Sequence, residues 1–268
     1  MILKEYGVSN KLSRRISRKF IPHFAQRNLQ FELSKPIVSI SFDDFPKSVM
    51  DEALPLLDKY GWKATFYVAA GLENITNHLG LHYSRNDLTK LRDEGHEIGC
   101  HTYHHLNIAE LSKRRSAEQI QSNEKAMKSL GHHIPMHTFA YPFGETSIVR
   151  KKQLANRFAS MRGIMPGIHY GKVDLNQIKS VPIYSGPNMP KTLKFIDSLK
   201  DRPGWLTLFT HDIRNTPSEW GCTVEDFEMA LDSIYKSGAI VMPIQQAVDF
   251  LRNQKNPGVK GTKGVDLS

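Results

Sequence analysis

The sequence predicts one α/β domain folded as a distorted (β/α) barrel. Its 268 residues, 40% of them hydrophobic, are enough for one large core and do not require a second domain. Short apolar runs alternate with helical patterns about six to eight times, which is typical of βα units with a parallel sheet. Polar residues follow several of these runs directly, and barrels carry their reactive groups at such strand ends. We place the barrel at residues 36–252, after a basic N-terminal arm at 1–35 and before a flexible tail at 253–268.

The predicted strands are short apolar or β-branched runs that stop at polar or turn residues. They cover residues 36–42, 63–69, 96–100, 136–141, 160–164, 180–183, 205–210 and 239–242. The first strand is followed at once by Asp43 and Asp44, and the third by His101. The fourth is broken by Pro142, which lacks the backbone N–H that a strand needs.

The predicted helices fill the intervals between strands, and the first three are each followed by a glycine that ends the helix. They cover residues 49–57, 84–94, 112–130, 148–158, 192–199, 224–236 and 244–251. The stretch 166–189 is rich in glycine and proline and is predicted mostly as loop, with the short strand at 180–183 inside it.

The formal net charge of +9 is concentrated in the N-terminal arm. Residues 1–35 hold eight basic and two acidic side chains, so they carry +6 of the total. The rest of the chain carries only +3, which argues against a nucleic-acid-binding body. Within the arm, an apolar residue recurs every fourth position with basic residues between, at Leu12, Ile16, Phe20 and Phe24. This pattern predicts a basic amphipathic helix that lies on an anionic membrane surface; the alternative is that the apolar stripe packs on the barrel.

The sequence shows no export signal in its first ten residues and no run long enough to span a membrane. Its two cysteines, Cys100 and Cys222, do not suggest a disulfide framework, and a reducing compartment fits. We therefore expect a cytoplasmic protein, peripheral to the inner membrane if the arm binds lipid.

Asp43 and Asp44 are adjacent carboxylates at a strand end. Taken alone they fit a solvated turn before Pro46. A nearby cation would explain them better, because two neighbouring acids do not ionise comfortably together without one. His101 and His105 follow another strand with a spacing of four residues, which lets both imidazoles reach one cation.

These residues predict a catalytic metal centre. Asp44, His101 and His105 form a two-histidine, one-carboxylate ligand set that leaves coordination positions open for water and substrate. Asp43 is then the candidate general base, and His211, at the end of another strand, the candidate acid. Two other histidine pairs share the spacing of four, His78/His82 and His133/His137, but neither directly follows a strand end.

Four motifs in order resemble the polysaccharide deacetylase family, also called carbohydrate esterase family four or the NodB homology domain. They are Ser41-Phe42-Asp43-Asp44, His101-Thr102-Tyr103-His104-His105, Phe139-Ala140-Tyr141-Pro142-Phe143-Gly144 and Leu206-Thr207-Leu208-Phe209-Thr210-His211-Asp212. The resemblance spans about residues 36–250 and implies a distorted barrel of the NodB type. It also implies a divalent metal, Zn²⁺ first, with Co²⁺, Ni²⁺, Mn²⁺ and Fe²⁺ as alternatives, and removal of N-acetyl groups from aminosugars.

Carried over by motif position, the resemblance makes Asp43 the base, Asp44, His101 and His105 the ligands, and His211 the acid. The backbone amide of Phe143 would help to hold the oxyanion, and Tyr141, in the same bend, is a candidate oxyanion or substrate contact. Trp220, after His211, is a candidate for stacking on a sugar ring, whereas Trp205 is expected in the core.

The sequence departs from the family pattern at two places. Ala140 occupies the position of an arginine that orients the base in many members, and Arg162, at the end of the next strand, is our candidate to replace it. The usual aspartate-and-tryptophan fourth motif is not plainly present, and Asp174 is a weak substitute.

We therefore expect a metal-dependent N-deacetylase acting on a bacterial polysaccharide or its lipid-linked precursor, similar to cytoplasmic exopolysaccharide or holdfast deacetylases. A deformylase or an O-ester deacetylase in the same fold is the first alternative. A non-catalytic, membrane-associated carbohydrate-binding barrel is the second, because the motif arginine is missing. Nucleic-acid binding based on the net charge is the third.

Overall fold

The computed structural model describes residues 20–254, and its centre is a curved sheet of eight parallel strands. In chain order the described strands are β1 Asn28–Gln30, β2 Ile37–Asp43, β3 Thr65–Val68, β4 Thr76–Asn77, β5 Gly80–Leu81, β6 Glu97–Cys100, β7 Thr138–Ala140, β8 Ser160–Arg162, β9 Lys172–Asp174, β10 Val181–Pro182, β11 Trp205–Thr210 and β12 Ile240–Val241. Seven strands of the sheet are ordered β10-β11-β2-β3-β6-β7-β8, and β12 pairs with the beginning of β2.

Seven α-helices surround this sheet in the described part of the chain. They are α1 Leu54–Lys59, α2 Arg85–Asp93, α3 Lys113–Ser129, α4 Ile148–Leu154, α5 Met189–Asp197, α6 Val224–Lys236 and α7 Ile244–Gln254. The open side of the sheet between β8 and β10 is bridged by an isolated pairing of Arg162 with Ile178. The predicted single-domain, distorted (β/α) barrel is thus confirmed.

The position of strand β2 in the sheet explains why its sequence is a continuous apolar run. All seven of its residues are buried, because a parallel strand is covered on both faces. Val38, Ile40 and Phe42 belong to the main core with the outer helices, whereas Ile37 joins a second core cluster with Trp205. Trp205 is fully buried, and its indole N–H donates to Ser39 Oγ at 3.1 Å.

The structure adds elements that the sequence did not predict. Strands β4 and β5 form a small antiparallel hairpin inside the predicted loop after Gly71, and β9 lies in the predicted 166–189 loop. Strand β1, within the predicted arm, pairs antiparallel with β9 and packs on the barrel. The amphipathic pattern in the arm begins outside the described residues, and of its members the structure describes Phe20 and Phe24.

Two further sequence predictions concern the C-terminal tail and the absence of a membrane-spanning segment. Helix α7 continues to Gln254, and residues 255–268 of the predicted tail lie outside the described part of the chain. Among residues 20–254, the structure contains no helix with the length and apolarity that crossing a membrane requires.

Candidate metal centre and catalytic residues

The three predicted metal ligands meet at the carboxyl ends of β2 and β6. Asp44 Oδ1 lies 3.5 Å from His105 Nε2 and 3.8 Å from His101 Nε2. All three ligand atoms are within 4.8 Å of one another, and they form the one group of this composition in the described chain. Two imidazoles and one carboxylate in this arrangement suit a catalytic divalent cation.

The histidines are held in the form that binds metals. His101 Nδ1 lies 2.9 Å from the Ala140 carbonyl oxygen, so Nδ1 carries the proton and the Nε2 lone pair is left for a cation. Burial lowers the pKa of His101 to about 4 and also lowers the pKa of His105. Both side chains are therefore neutral at neutral pH.

Asp44 is ionised and has an oxygen available for a cation. Burial alone would raise its pKa, but His105, His101, His211 and His82 outweigh burial and lower the pKa to about 2. Asp44 Oδ1 is buried and has no hydrogen-bond partner among the described residues. The donor set therefore fits the divalent metal that the motifs imply.

The backbone around Asp44 has an unusual conformation that is fixed by a neighbouring histidine. Asp44 and Phe45 have φ values of 60° and 55°, in the left-handed region that non-glycine residues rarely adopt. His82 Nδ1 donates to the Asp44 carbonyl oxygen at 2.9 Å, and His82 also bridges to Pro46. His82 thus holds the turn that presents the Asp44 carboxylate.

Asp43 is paired with Arg162, which is fully buried at the end of β8. One guanidinium nitrogen contacts both Asp43 carboxylate oxygens, and another donates to the Gly163 carbonyl at 3.0 Å. The guanidinium also lies over the Phe209 ring at 4.7 Å and the Tyr67 ring at 5.2 Å. Arg162 therefore lies in contact with Asp43, as expected of the residue that we predicted to orient the base.

This pairing sets the charge of Asp43. Burial on its own would raise the Asp43 pKa, but Arg162, together with His101 and His211, lowers it below the ordinary value. Asp43 is consequently a carboxylate at neutral pH, as a general base must be.

His211 is oriented by a backbone carbonyl. Its Nδ1 donates to the Trp220 carbonyl oxygen at 3.0 Å, which leaves Nε2 for a substrate. The weak substitute Asp174 is not a partner of His211. Its carboxylate pairs with buried Lys151 at 2.9 Å and accepts from the backbone N–H of Arg27 at 2.8 Å, so it joins α4 to the N-terminal segment.

The three residues predicted to contact the oxyanion or the substrate differ in their exposure to solvent. Phe143 has a φ of 60°, is 38% exposed, and its ring lies 4.4 Å from the His105 ring. Trp220 is 44% exposed and lies edge-on to the Tyr184 ring at 6.0 Å. The predicted substrate contact of Tyr141 is wrong for its side chain: it is buried in the core, and its hydroxyl donates to the Asn176 carbonyl at 2.9 Å.

Sequence reasoning missed three residues of the site. His82 was set aside with His78 as a loop pair. Ser180 Oγ accepts from Arg162 at 3.3 Å, and Tyr184 lies beside both Trp220 and His211 at ring distances of 6.0 and 6.3 Å. The sequence offered one indication of Ser180 and Tyr184: they lie at the beginning and just after the end of the short predicted strand 180–183.

Comparison with known proteins gives a consistent family. A sequence model described as "Polysaccharide deacetylase" matches residues 31–159. A chitin deacetylase of Pestalotiopsis sp is 31% identical over 99 residues, which is 37% of this chain and 32% of that protein. The match thus spans about a third of the curated relative's length.

Solved structures are similar over most of the described fold. The chitin deacetylase from Colletotrichum lindemuthianum has a TM-score of 0.59 and 16% identity, covering 81% of this chain and 89% of that one. A family 4 acetyl xylan esterase from Clostridium thermocellum, solved with a cobalt ion, has a TM-score of 0.57 and 20% identity, covering 81% and 92%. At these identities the structures show a common fold.

Proposed function

The chain belongs to the polysaccharide deacetylase family, and on this premise we propose that it hydrolyses the N-acetyl group of an N-acetylated aminosugar in a bacterial polysaccharide or its lipid-linked precursor. The observation that carries the proposal is the Asp43–Arg162 pair beside the Asp44, His101 and His105 ligand set. A general base next to a cation site is what amide hydrolysis by water requires.

The residues divide the reaction between them. A divalent cation held by Asp44, His101 and His105 would polarise the amide carbonyl and acidify the attacking water. Asp43, kept ionised by Arg162, takes the proton of that water. His211, held through Nδ1 by the Trp220 carbonyl, presents Nε2 to donate a proton to the leaving amine nitrogen.

The ligand set supports zinc as the metal. Two imidazoles and one carboxylate suit Zn²⁺, and they also accept Co²⁺, Ni²⁺, Mn²⁺ or Fe²⁺. The acetyl xylan esterase with the similar fold was solved with a cobalt ion, and this supports a divalent metal in the present chain.

The aromatic side chains around His211 support a glycan substrate. Trp220 and Tyr184 are aromatic side chains at the edge next to His211, and aromatic rings stack on the apolar faces of sugars. We further propose that the glycan belongs to exopolysaccharide biosynthesis and is met in the cytoplasm at the inner membrane surface. The basic residues of the arm support this location.

Ester hydrolysis is the second candidate. The structural relative named as an acetyl xylan esterase shows that this fold also supports an O-deacetylase. An ester needs less help from His211, because an alkoxide leaves far more readily than the unprotonated nitrogen of an amide. A deformylase and a non-catalytic glycan-binding barrel remain alternatives that the same experiment separates.

The test is acetate release from N-acetylglucosamine oligomers and from lipid-linked N-acetylated sugars, with and without a chelator, and with an N-formylated sugar and O-acetyl xylan as comparison substrates. We expect release that stops with chelator and returns with Zn²⁺. Asp43→Asn should lower turnover by about 10²-fold or more, while the metal content stays that of the wild type. Release of formate, or of acetate from O-acetyl xylan alone, would contradict the amide proposal, and sugar binding without product would favour the non-catalytic barrel.

A further inference from the structure

Apolar side chains near the catalytic residues are exposed to solvent. Phe143, Ile148 and Val149 are 38%, 38% and 57% exposed, on the loop after β7 and on the first turn of α4. The contact of the Phe143 ring with His105 places this edge beside the metal ligands. Exposed isoleucine and valine side chains do nothing for the stability of a helix start, so their presence here needs another reason.

The N-terminal segment joins the barrel at the same edge. Ile21 lies in one small cavity with Gly144, Glu145 and Thr146, which are the residues between Phe143 and α4. Phe20 and Phe24, on either side of the short helix Ile21–His23, are 56% and 51% exposed. We call Phe20, Phe24, Phe143, Ile148 and Val149 the rim patch.

The segments that follow β3 and β11 also carry exposed apolar side chains. Ile75 and Leu81, in and beside the β4–β5 hairpin, are 47% and 48% exposed, and Trp220 is 44% exposed. The hairpin is tied to the site, because His82 follows Leu81 directly and donates to the Asp44 carbonyl. Exposed apolar side chains therefore occur on several of the segments that contact the catalytic residues.

Charge decides which occupant fits this surface. The residues just before Phe20 include four cations, Arg14, Arg15, Arg18 and Lys19, so the chain enters the described fold at the rim patch through a basic stretch. Aliphatic and aromatic side chains that follow clustered lysine and arginine in the sequence match an anionic lipid surface. A glycan would instead favour flat aromatic faces with hydrogen-bonding groups, which Ile148 and Val149 do not offer.

We infer that the chain docks on an anionic lipid bilayer through the rim patch, which places the catalytic residues close to the membrane surface. The inference deepens the proposed function and rests on it, because a lipid-linked glycan would reach the metal ligands without leaving the surface. The arginines and lysine attract the chain to anionic headgroups, and the rim patch supplies the apolar contact that holds it there.

The test uses the full chain with vesicles of phosphatidylcholine alone or mixed with an equal part of phosphatidylglycerol. In Ile148→Ser/Val149→Ser, we expect roughly tenfold weaker partition onto the mixed vesicles, because two exposed aliphatic side chains lose their contact with lipid. The matched control is Met229→Ser/Tyr235→Ser on α6, whose side chains are 49% and 65% exposed, and it should partition like the wild type.

A second variant tests the charge. Replacing Arg14, Arg15, Arg18 and Lys19 by glutamine should abolish the preference for mixed over neutral vesicles, and added salt should weaken binding of the wild type. Equal losses in the rim and control variants, or an unchanged partition of the rim variant, would overturn the inference. A change in self-association of the rim variant without a change in partition would also overturn it, because the patch would then be an interface between copies.

The activity on a soluble N-acetylglucosamine oligomer separates this inference from the proposed function. Ile148→Ser/Val149→Ser should deacetylate the soluble oligomer at the wild-type rate and be slower only on lipid-linked substrate in vesicles. A wild-type chain that binds vesicles through the rim patch but releases no acetate would refute the proposed function and leave the docking surface in place.

Discussion

Asp43 and Arg162 are buried together at the centre of the site, and neither is stable there without the other. Arg162 has a fully buried side chain, and its guanidinium is enclosed by Asp43, the Gly163 carbonyl and the rings of Phe209 and Tyr67. Removal of one partner from such a pair typically costs about 3–5 kcal/mol, because a charge is left buried and unpaired. The pair therefore matters for both stability and chemistry.

The pH dependence of activity follows from this pair. In Arg162→Gln, burial is no longer opposed by the guanidinium, so the Asp43 pKa rises. We expect the acid limb of the kcat/KM profile to move to higher pH, with about a 100-fold loss of activity at neutral pH. The measurement is the pH profile of kcat/KM at full metal occupancy.

The stability effect has a defined sign. Because the folded-state pKa of Asp43 is below its ordinary value of 3.8, the carboxylate stabilises the wild type above about pH 4, and this contribution is lost as the pH falls below that value. Arg202→Gln, an exposed arginine that stacks on Tyr170, is the matched control and should keep the wild-type profile. An unchanged acid limb in Arg162→Gln would mean that another group sets the base pKa.

His82 holds the ligand turn through a backbone contact. In His82→Ala the Asp44 carbonyl loses its donor, and the left-handed turn at Asp44 and Phe45 loses a restraint. We expect metal affinity to fall roughly 10- to 100-fold, as is usual when a residue that orients a ligand is removed. Metal titration of the purified apo chain measures this.

Two variants separate positioning from general damage. His82→Gln keeps a side-chain N–H donor and should recover part of the affinity. His78→Ala removes the exposed histidine four residues earlier and should bind metal like the wild type. Equal affinity of His82→Ala and the wild type would show that the turn holds without the histidine.

Local sequence patterns predicted the metal ligands, but they did not predict the residues that hold those ligands in place. Asp43, Asp44, His101 and His105 were predictable, because strand ends and a spacing of four residues are local features. His82 was not, since its partner is a backbone carbonyl 38 residues away, and such a contact leaves no pattern in side-chain types. The Tyr141 side chain was misplaced because strand-end position alone does not say which way a residue points.

At the scale of elements, the loop from His211 to Cys222 carries the candidate acid. Asp212 is fully buried and accepts from the Ser218 hydroxyl at 2.5 Å and from the Ser218 backbone N–H at 2.8 Å. Gly221 packs so closely on this turn that an added Cβ would lie 2.3 Å from the Asp212 carbonyl oxygen. The loop therefore has one compact conformation, and that conformation places the Trp220 carbonyl on His211.

Gly221→Ala should disturb the acid without disturbing the metal ligands. The added methyl group must displace Asp212 or the Trp220–Gly221 backbone, which moves the acceptor of His211 Nδ1. We expect kcat to fall by about 10²-fold, as a shift near 1 Å of a catalytic group can cause, with metal affinity unchanged. Kinetics and metal titration of the same sample measure both.

The control is Gly238→Ala, where an added Cβ meets nothing within 4 Å, although Gly238, unlike Gly221, has a positive φ. It should lose some stability because of its φ of 70°, but keep the wild-type kcat. A kcat loss of the same size in both variants would trace the effect to a general loss of stability rather than to His211.

The elements that the sequence predicted well are those with apolar periodicity. Strands β2, β3, β6 and β11 were predicted because they are buried on both faces, and burial on both faces requires continuous apolar runs. Strands β1 and β9 were missed because each has a single fully buried residue and pairs with a partner about 145 residues away. Their pairing depends on the closed barrel, which no local pattern encodes.

At the scale of the whole molecule, the metal ligands connect strands that are not neighbours. Asp44 follows β2 and the two histidines follow β6, while β3 lies between them in the sheet. A cation bound by all three would therefore link separate parts of the barrel, and it binds only the folded chain. The stability of the barrel and the occupancy of the site are consequently coupled.

We expect Zn²⁺ to raise the melting temperature of the full chain. At a free concentration near 100 times Kd, binding adds about 2.7 kcal/mol to the free energy of unfolding, which corresponds to roughly 5–10 °C for a domain of this size. Asp44→Asn should abolish the rise, because it removes the ligand charge, whereas Asp43→Asn should keep it, because Asp43 faces Arg162. Thermal unfolding with and without chelator measures both variants. If the rise in melting temperature persisted in Asp44→Asn and were lost in Asp43→Asn, Asp43 would be the metal ligand and Asp44 the base. Both the ligand set and the identity of the base depend on this assignment.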